Sequence, residues 1–239
     1  MKTILHKANT RGHANFGWLN SYHSFSFGNY YNPERVHFGA LRVLNDDSVA
    51  KGMGFPKHPH DNMEIVSIPL SGDLHHQDST GRDEIIREND VQIMSAGSGI
   101  AHSEMNANKD KDVKFLQLWV MPKEQDIEPR YEQKTFNPED RNNQILTVVA
   151  PDNDKAVWIN QDAWFSLGKF SKDFTTTYTI HKKGNGVYAF ILNGTVIIND
   201  QVLEARDGFG ISETDLINIK ANTDAEILFI DVPMQIQGA

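Results

Sequence analysis

The stretch GFPKHPHDNME, residues 54–64, sets His58 and His60 one residue apart and Glu64 four further on. Neutral imidazole is the commonest protein ligand for a transition metal. In an extended strand, residues i and i+2 point to the same face, so His58 and His60 project two nitrogen donors together. A second pair of this kind occurs in GIAHSEMN, where His102 and Glu104 share a face. If the two strands are neighbours, three imidazoles and one carboxylate converge. Iron, manganese, cobalt, nickel, copper and zinc all accept that mixture. Gly97 and Gly99 allow a tight backbone approach ahead of the second pair. Glu64 has the same strand parity as His58 and His60. It reads as a fifth ligand, as an acceptor for an imidazole N–H, or as a structural acid at a strand start.

The elements that must carry these pairs read as strands almost throughout. HSFSFGNYY alternates, with His23, Phe25 and Phe27 on one face. VHFGALRVLNDD reads as a strand ending in an Asn-Asp-Asp turn, and EIVSIPLSGDLHHQD as two short strands meeting in a hairpin at Ser71-Gly72-Asp73. DVQIMSAGSGIAHSEMN and VKFLQLWVMP continue the pattern. Short strands with Gly-rich turns predict an antiparallel sandwich or barrel. From Pro122 to Asn143 the chain turns polar and carries three prolines, which reads as a connector between domains. Strands resume with QILTVVAP and run to AEILFIDVP.

The two halves share a weak internal repeat. Laying Gly72 on Gly194 without gaps puts His58, His60 and Glu64 on Ile180, Lys182 and Gly186. Registering Asp90 on Asp207 puts His102 on Ile219 and Glu104 on Ala221. The second half therefore lacks the donors, and His181 falls one residue out of register.

Several other residues have plainer readings. His75 and His76 are adjacent and face opposite ways, which places them on a hairpin surface. Phe25 and Phe27 read as core, and Gln117 and Trp119 share a face that reads as core by default or else as lining of the barrel mouth. Arg11 and His13 read as surface residues.

Composition removes other classes of function. The absence of cysteine excludes disulfides, thiolate nucleophiles and iron–sulfur clusters. With 23 Lys and Arg against 32 Asp and Glu, the net charge of −9 argues against direct binding of nucleic acid or anionic lipid. Only Thr3, Ile4 and Leu5 separate Lys2 from His6, too short for the apolar segment of a signal peptide. No stretch approaches the roughly 18 apolar residues of a membrane span. The expected location is the cytoplasm.

GMGFPKHPHDNME resembles the first cupin motif: Gly, five residues, His-x-His, three residues, Glu. GSGIAHSEMN resembles the second, Gly-x-x-His-x-x-x-Asn. Together with HSFSFGNYY, ALRVLNDD, HQDSTG, VQIMSAGSGIAHSE and PRYEQ, these strings resemble the pirin family, and in particular its bacterial quercetin 2,3-dioxygenase branch. The resemblance implies an all-β bicupin, two antiparallel β-barrels packed face to face. It gives a metal-binding barrel over 1–121, a connector over 122–143 and a metal-free barrel over 144–239. It further implies one divalent transition-metal ion per chain, iron first among the candidates, held by His58, His60, His102 and Glu104. Glu104 is the one evident base in that set. The substrates implied are a flavonol-like aromatic and dioxygen, with ring opening and loss of carbon monoxide. The same ligands would also serve a metal or redox sensor that acts on a transcription-factor partner, as eukaryotic pirins are thought to do. The motif alone does not separate the two, because fold does not fix function.

Overall fold

In a computed structural model, residues 1–236 are described. They form strands and two short 3-10 turns, with no α-helix among them and so none that crosses a membrane. The first half contains β1 (Lys2–His6), β2 (Gly12–Asn15), β3 (Leu19–His23), β4 (Leu41–Val49), β5 (Gly54–His60) and β6 (Glu64–Ser71). β7 (Leu74–Asp78), β8 (Asp83–Ile86), β9 (Asp90–Ser95), β10 (Ile100–Asn106), β11 (Val113–Val120) and β12 (Arg130–Thr135) follow. The second half begins with β13 (Ile145–Val149), β14 (Trp164–Phe170), β15 (Thr175–Thr179), β16 (Asn185–Asn193) and β17 (Thr195–Ile198). It ends with β18 (Gln201–Glu204), β19 (Gly208–Ser212), β20 (Leu216–Ala221) and β21 (Ala225–Pro233).

Each half is a barrel made from a large and a small antiparallel sheet. The first pairs a seven-stranded sheet, β12-β9-β6-β11-β4-β3-β2, with the four-stranded β5-β10-β7-β8. The second pairs β1-β19-β16-β21-β14-β13 with β15-β20-β17-β18. The outer faces of the two large sheets meet across one apolar core, in which Val66, Ile68, Leu116 and Leu118 pack with Phe165, Tyr188, Phe190 and Leu228. Alternation dictates this arrangement. On β6, residues 64, 66 and 68 face the other half, while Ile65 and Ser67 face into their own barrel.

The barrel interiors differ in kind. The second is filled by its own apolar side chains, among them Val187, Ile191, Val196, Ile219 and Phe229. The first carries a polar row across its large sheet, where His23, Asn45, Gln117, Ser67, Gln92 and Gln133 are successive cross-strand partners. A polar stripe inside a barrel costs stability unless it is hydrogen-bonded, and proteins tolerate that cost mainly at functional sites.

Several sequence expectations change here. The strand through HSFSFGNYY ends at His23. Beyond it Phe25 enters the inter-sheet core, and Arg42 ties the loop down through the carbonyls of Ser26 and Val36. Asn45, Asp46 and Asp47 do not turn but lie inside β4, where their polar side chains find polar or charged surroundings on both faces. Ser71-Gly72-Asp73 is not a hairpin. Gly72, at φ +79°, passes the chain from the large sheet to the small one, and β6 and β7 do not pair. The connector over 122–143 contains β12, an edge strand of the first large sheet. β1, within the span 1–121, pairs along its whole length with β19 of the second half. Arg11 is not at the surface. Its side chain is 6% exposed and lies 3.1 Å from Asp46 at the junction of the halves.

Candidate metal centre

Strand register builds the centre. β5 and β10 pair so that His58 stands opposite His102 and His60 opposite Ile100, with a bulge before Glu104. One nitrogen from each of His58, His60 and His102 lies within 4.8 Å of the others. The turn that brings β10 into place depends on Gly97, at φ +48°, where any Cβ would collide with the Ile127 carbonyl.

The donor chemistry fits a divalent ion. His58 Nε2 and His102 Nε2 are 3.1 Å apart. Two nitrogens each about 2.1 Å from one ion are roughly 3.0 Å apart when they meet it at a right angle. His58 Nδ1 lies 2.8 Å from the Pro56 carbonyl, which only accepts, so the proton sits on Nδ1 and Nε2 keeps its lone pair. Burial, reinforced by His58, lowers His60 to about 4 and His102 to about 2. Both are therefore neutral at neutral pH, with a lone pair available to an ion.

Glu104 is placed differently from the three imidazoles. At the same spacing it groups with His102 and His76 rather than with His58 and His60. Ser67 Oγ donates to its Oε1 at 3.0 Å and Gln117 Nε2 to its Oε2 at 2.6 Å. A carboxylate offers about four lone-pair positions, so both contacts leave room for another partner. Burial pushes Glu104 up to about 7, against the pull of the Ser67 and Gln117 hydrogen bonds.

Glu64 lies elsewhere. The turn around Asn62, at φ +44°, breaks the parity counted from His60 and points Glu64 toward the other half. There its Oε2 accepts from Ser95 Oγ at 2.8 Å and from the Asn160 backbone N–H at 3.1 Å.

A cavity of about 380 Å³ opens on the centre, bordered by His58, His60 and Glu104. Phe27, Phe55 and Trp119 form apolar walls, and Trp119 meets both His60 and Phe27 edge to face. The polar row contributes His23, Asn45 and Gln117 to the same cavity. Ser21 donates to the buried Asp47 carboxylate, which burial raises to about 7.

Residues 5–120 match the Pirin family, and residues 147–232 match the family described as the quercetinase C-terminal cupin domain. The quercetin 2,3-dioxygenase of Escherichia coli (strain K12) is 41% identical over 229 residues, which span 96% of this chain and 98% of that protein. The chain belongs to the pirin family. A pirin-like protein of Caulobacter vibrioides is 39% identical over 92% of this chain and 95% of its own length. The crystal structure of the bacterial pirin YhhW from Escherichia coli in complex with nickel(II) matches with a TM-score of 0.92. That pair is 40% identical and covers 97% of this chain and 99% of the other.

In this pirin the site also uses residues that the sequence reading set aside. Phe27, Gln117 and Trp119 line the cavity instead of the core. His75 does lie at the surface, 2.5 Å from Asp83, but His76 is fully buried beside His102. The signal was present in LHHQD, because His76 shares strand parity with Leu74, which is also fully buried.

The repeat alignment needs a correction as well. Opposite Ile219 and Ile217 of β20 stand Thr176 and Tyr178, as His58 and His60 stand opposite His102 and Ile100. Val196 and Ile198 occupy the places of His76 and Asp78. The register is thus four residues from the one that chose Ile180 and Lys182. The slip arose because gapless counting from Gly72 ignored different loop lengths. None of the equivalent residues offers an imidazole or a carboxylate.

Proposed function

We propose that this pirin is a dioxygenase acting on a flavonol such as quercetin, with one divalent transition-metal ion held by His58, His60, His102 and Glu104. The observation that carries this reading is the aromatic-walled cavity ending at the imidazole cluster. Pockets of this size and lining suit a small aromatic ligand. When bound, the ion supplies Lewis acidity toward a substrate hydroxyl and a centre at which dioxygen chemistry takes place. The protein does the rest. Phe27, Phe55 and Trp119 hold the flat rings and keep water out. Glu104 is the base that can take the proton of the flavonol enol, while Ser67 and Gln117 keep its carboxylate aimed. The name carried by the Escherichia coli relative supports dioxygenation of quercetin, and the outcome we propose is opening of the central ring with loss of carbon monoxide.

The test loads the chain with iron, manganese, cobalt, nickel or copper and adds quercetin without air. The bound flavonol should shift its absorbance without turnover. Admitting air should consume oxygen and release carbon monoxide. A His58→Ala/His60→Ala variant should do neither while remaining folded. A loaded protein that binds quercetin yet takes up no oxygen with any of these metals would move the assignment to a metal or ligand sensor.

A further inference from the structure

We infer that Asp78 and His76 are positioning residues that fix the proton of His102 on Nδ1 and so turn its Nε2 toward the ion. This rests on the ligand set proposed above, and its premises are hydrogen bonds on the far side of the centre. β10 has β5 on one side and β7 on the other, so His102 stands between His58 and Asp78, and Glu104 is opposite His76. The side chains of His76 and Asp78 are both 0% exposed.

The direction of each hydrogen bond follows from what its partner can do. Asp78 Oδ1 accepts from Thr80 N at 2.8 Å, Thr80 Oγ1 at 2.6 Å and Arg82 N at 3.3 Å, which locks the carboxylate in its turn. The other oxygen, Oδ2, lies 3.0 Å from His76 Nε2. An ionised carboxylate only accepts, so the His76 proton is on Nε2 and Nδ1 carries a lone pair. The atom facing that lone pair, at 3.5 Å, is His102 Nδ1. It must donate. His102 Nε2 is left with a lone pair, at the edge that faces His58.

Two imidazoles of the centre are therefore set in one tautomer from opposite sides. A backbone carbonyl does this for His58, and an acid–imidazole chain does it for His102. The arrangement gives the string HQDSTG, residues 76–81, a physical role. His76 is the intermediary, Asp78 the anchor, and the tight turn to Gly81 supplies the donors that hold the anchor. A rival use of the same atoms is a second ion held by His76, His102 and Glu104, which lie within 4.8 Å of one another. It would require metal on both nitrogens of His102 and loss of its last proton.

The deciding experiment uses the full-length chain with ¹⁵N-labelled histidine, loaded with diamagnetic zinc(II) and read by long-range ¹H–¹⁵N NMR. His102 is expected as the Nδ1–H tautomer. His76→Phe keeps the ring volume and removes the acceptor. It should yield mixed His102 tautomers and weaken nickel(II) and cobalt(II) binding, measured by chelator competition, about 10–100-fold. His76→Gln, whose side-chain oxygen can accept, should recover most of that loss, and Asp78→Asn should fall between. If His76→Phe does not fold, the Gln and Asn variants carry the comparison. A wild-type His102 protonated on Nε2, unchanged affinity in the folded His76→Phe, or two tightly bound ions per chain would each overturn the inference. Failure of flavonol turnover with the expected tautomer and affinities would count against the proposed reaction alone.

Discussion

Two buried glutamates illustrate how a single side chain's surroundings decide its role. Glu104 touches Ser67 and Gln117 inside the first barrel, whereas Glu64 reaches across to the Asn160 backbone of the other half. Glu104→Ala is expected to lower metal retention, measured by elemental analysis after dialysis. Glu64→Ala should leave metal content near that of the unmutated protein and lower thermal stability instead. It strands the buried Asn160 N–H, at a cost of about 1–3 kcal/mol. For a chain of this size each kcal/mol moves the melting temperature by about 2–4 °C. Loss of metal in Glu64→Ala with unchanged melting would return Glu64 to the centre. At this scale the rigid two-residue spacing of a strand is why the sequence could bring His58, His60 and His102 together, while Glu104 groups with His102 and His76 instead. The sequence was uninformative about Glu64 because a left-handed residue at Asn62 resets the count. His76 was overlooked because its neighbour His75 really is a surface residue.

β4 is the element that most resisted reading. Asn-Asp-Asp is turn chemistry by composition, yet it continues a strand because one face lines the cavity and the other meets Arg11. Its position makes Asp47 a testable case. Burial raises the Asp47 carboxyl from 3.8 to about 7, with Ser21 pulling it back only in part. Between those two values the folded protein holds a proton that the unfolded chain has released. Asp47 therefore favours folding at low pH, and that contribution is lost as pH rises through about 7. Asp47→Asn, which still offers Ser21 an acceptor, should melt higher than the parent at pH 8 and nearly level with it at about pH 4. Melting curves of metal-free protein across that range check this. An unchanged pH slope would show that Asp47 ionises normally in the fold. β6 and β7 teach a related lesson. Gly72 was legible as a turn, but whether a turn closes a hairpin or changes sheets depends on partners distant in sequence.

On the scale of the whole molecule, the contrast between interiors sets stoichiometry. Thr176, Tyr178, Ile219 and Ala221 occupy the second barrel's equivalents of the donor positions, so elemental analysis of loaded protein should approach one ion per chain. A second ion still held by His76→Phe, and so not at the His76–His102–Glu104 cluster, would contradict the corrected register. The barrels are also not separable. Residues 1–121 expressed alone would expose Val66, Ile68, Leu116 and Leu118 and leave β1 without its partner. That fragment should aggregate or bind a hydrophobic dye, and a soluble monomer with sharp NMR lines would refute this. The strand alternation was readable from local patterns and the two-barrel plan was implied by the family resemblance, whereas the exchange of β1 was not legible, because a five-residue strand carries no address. That exchange has a consequence for biosynthesis. Lys2–His6 leaves the ribosome about 200 residues ahead of Gly208–Ser212, the strand that must receive it. At roughly 5–20 residues per second, the leading strand waits on the order of 10–40 s with its backbone donors and acceptors facing water. The first barrel can bring His58, His60 and His102 together during that interval, but the molecule is fastened shut only when nearly the last of its strands has been made.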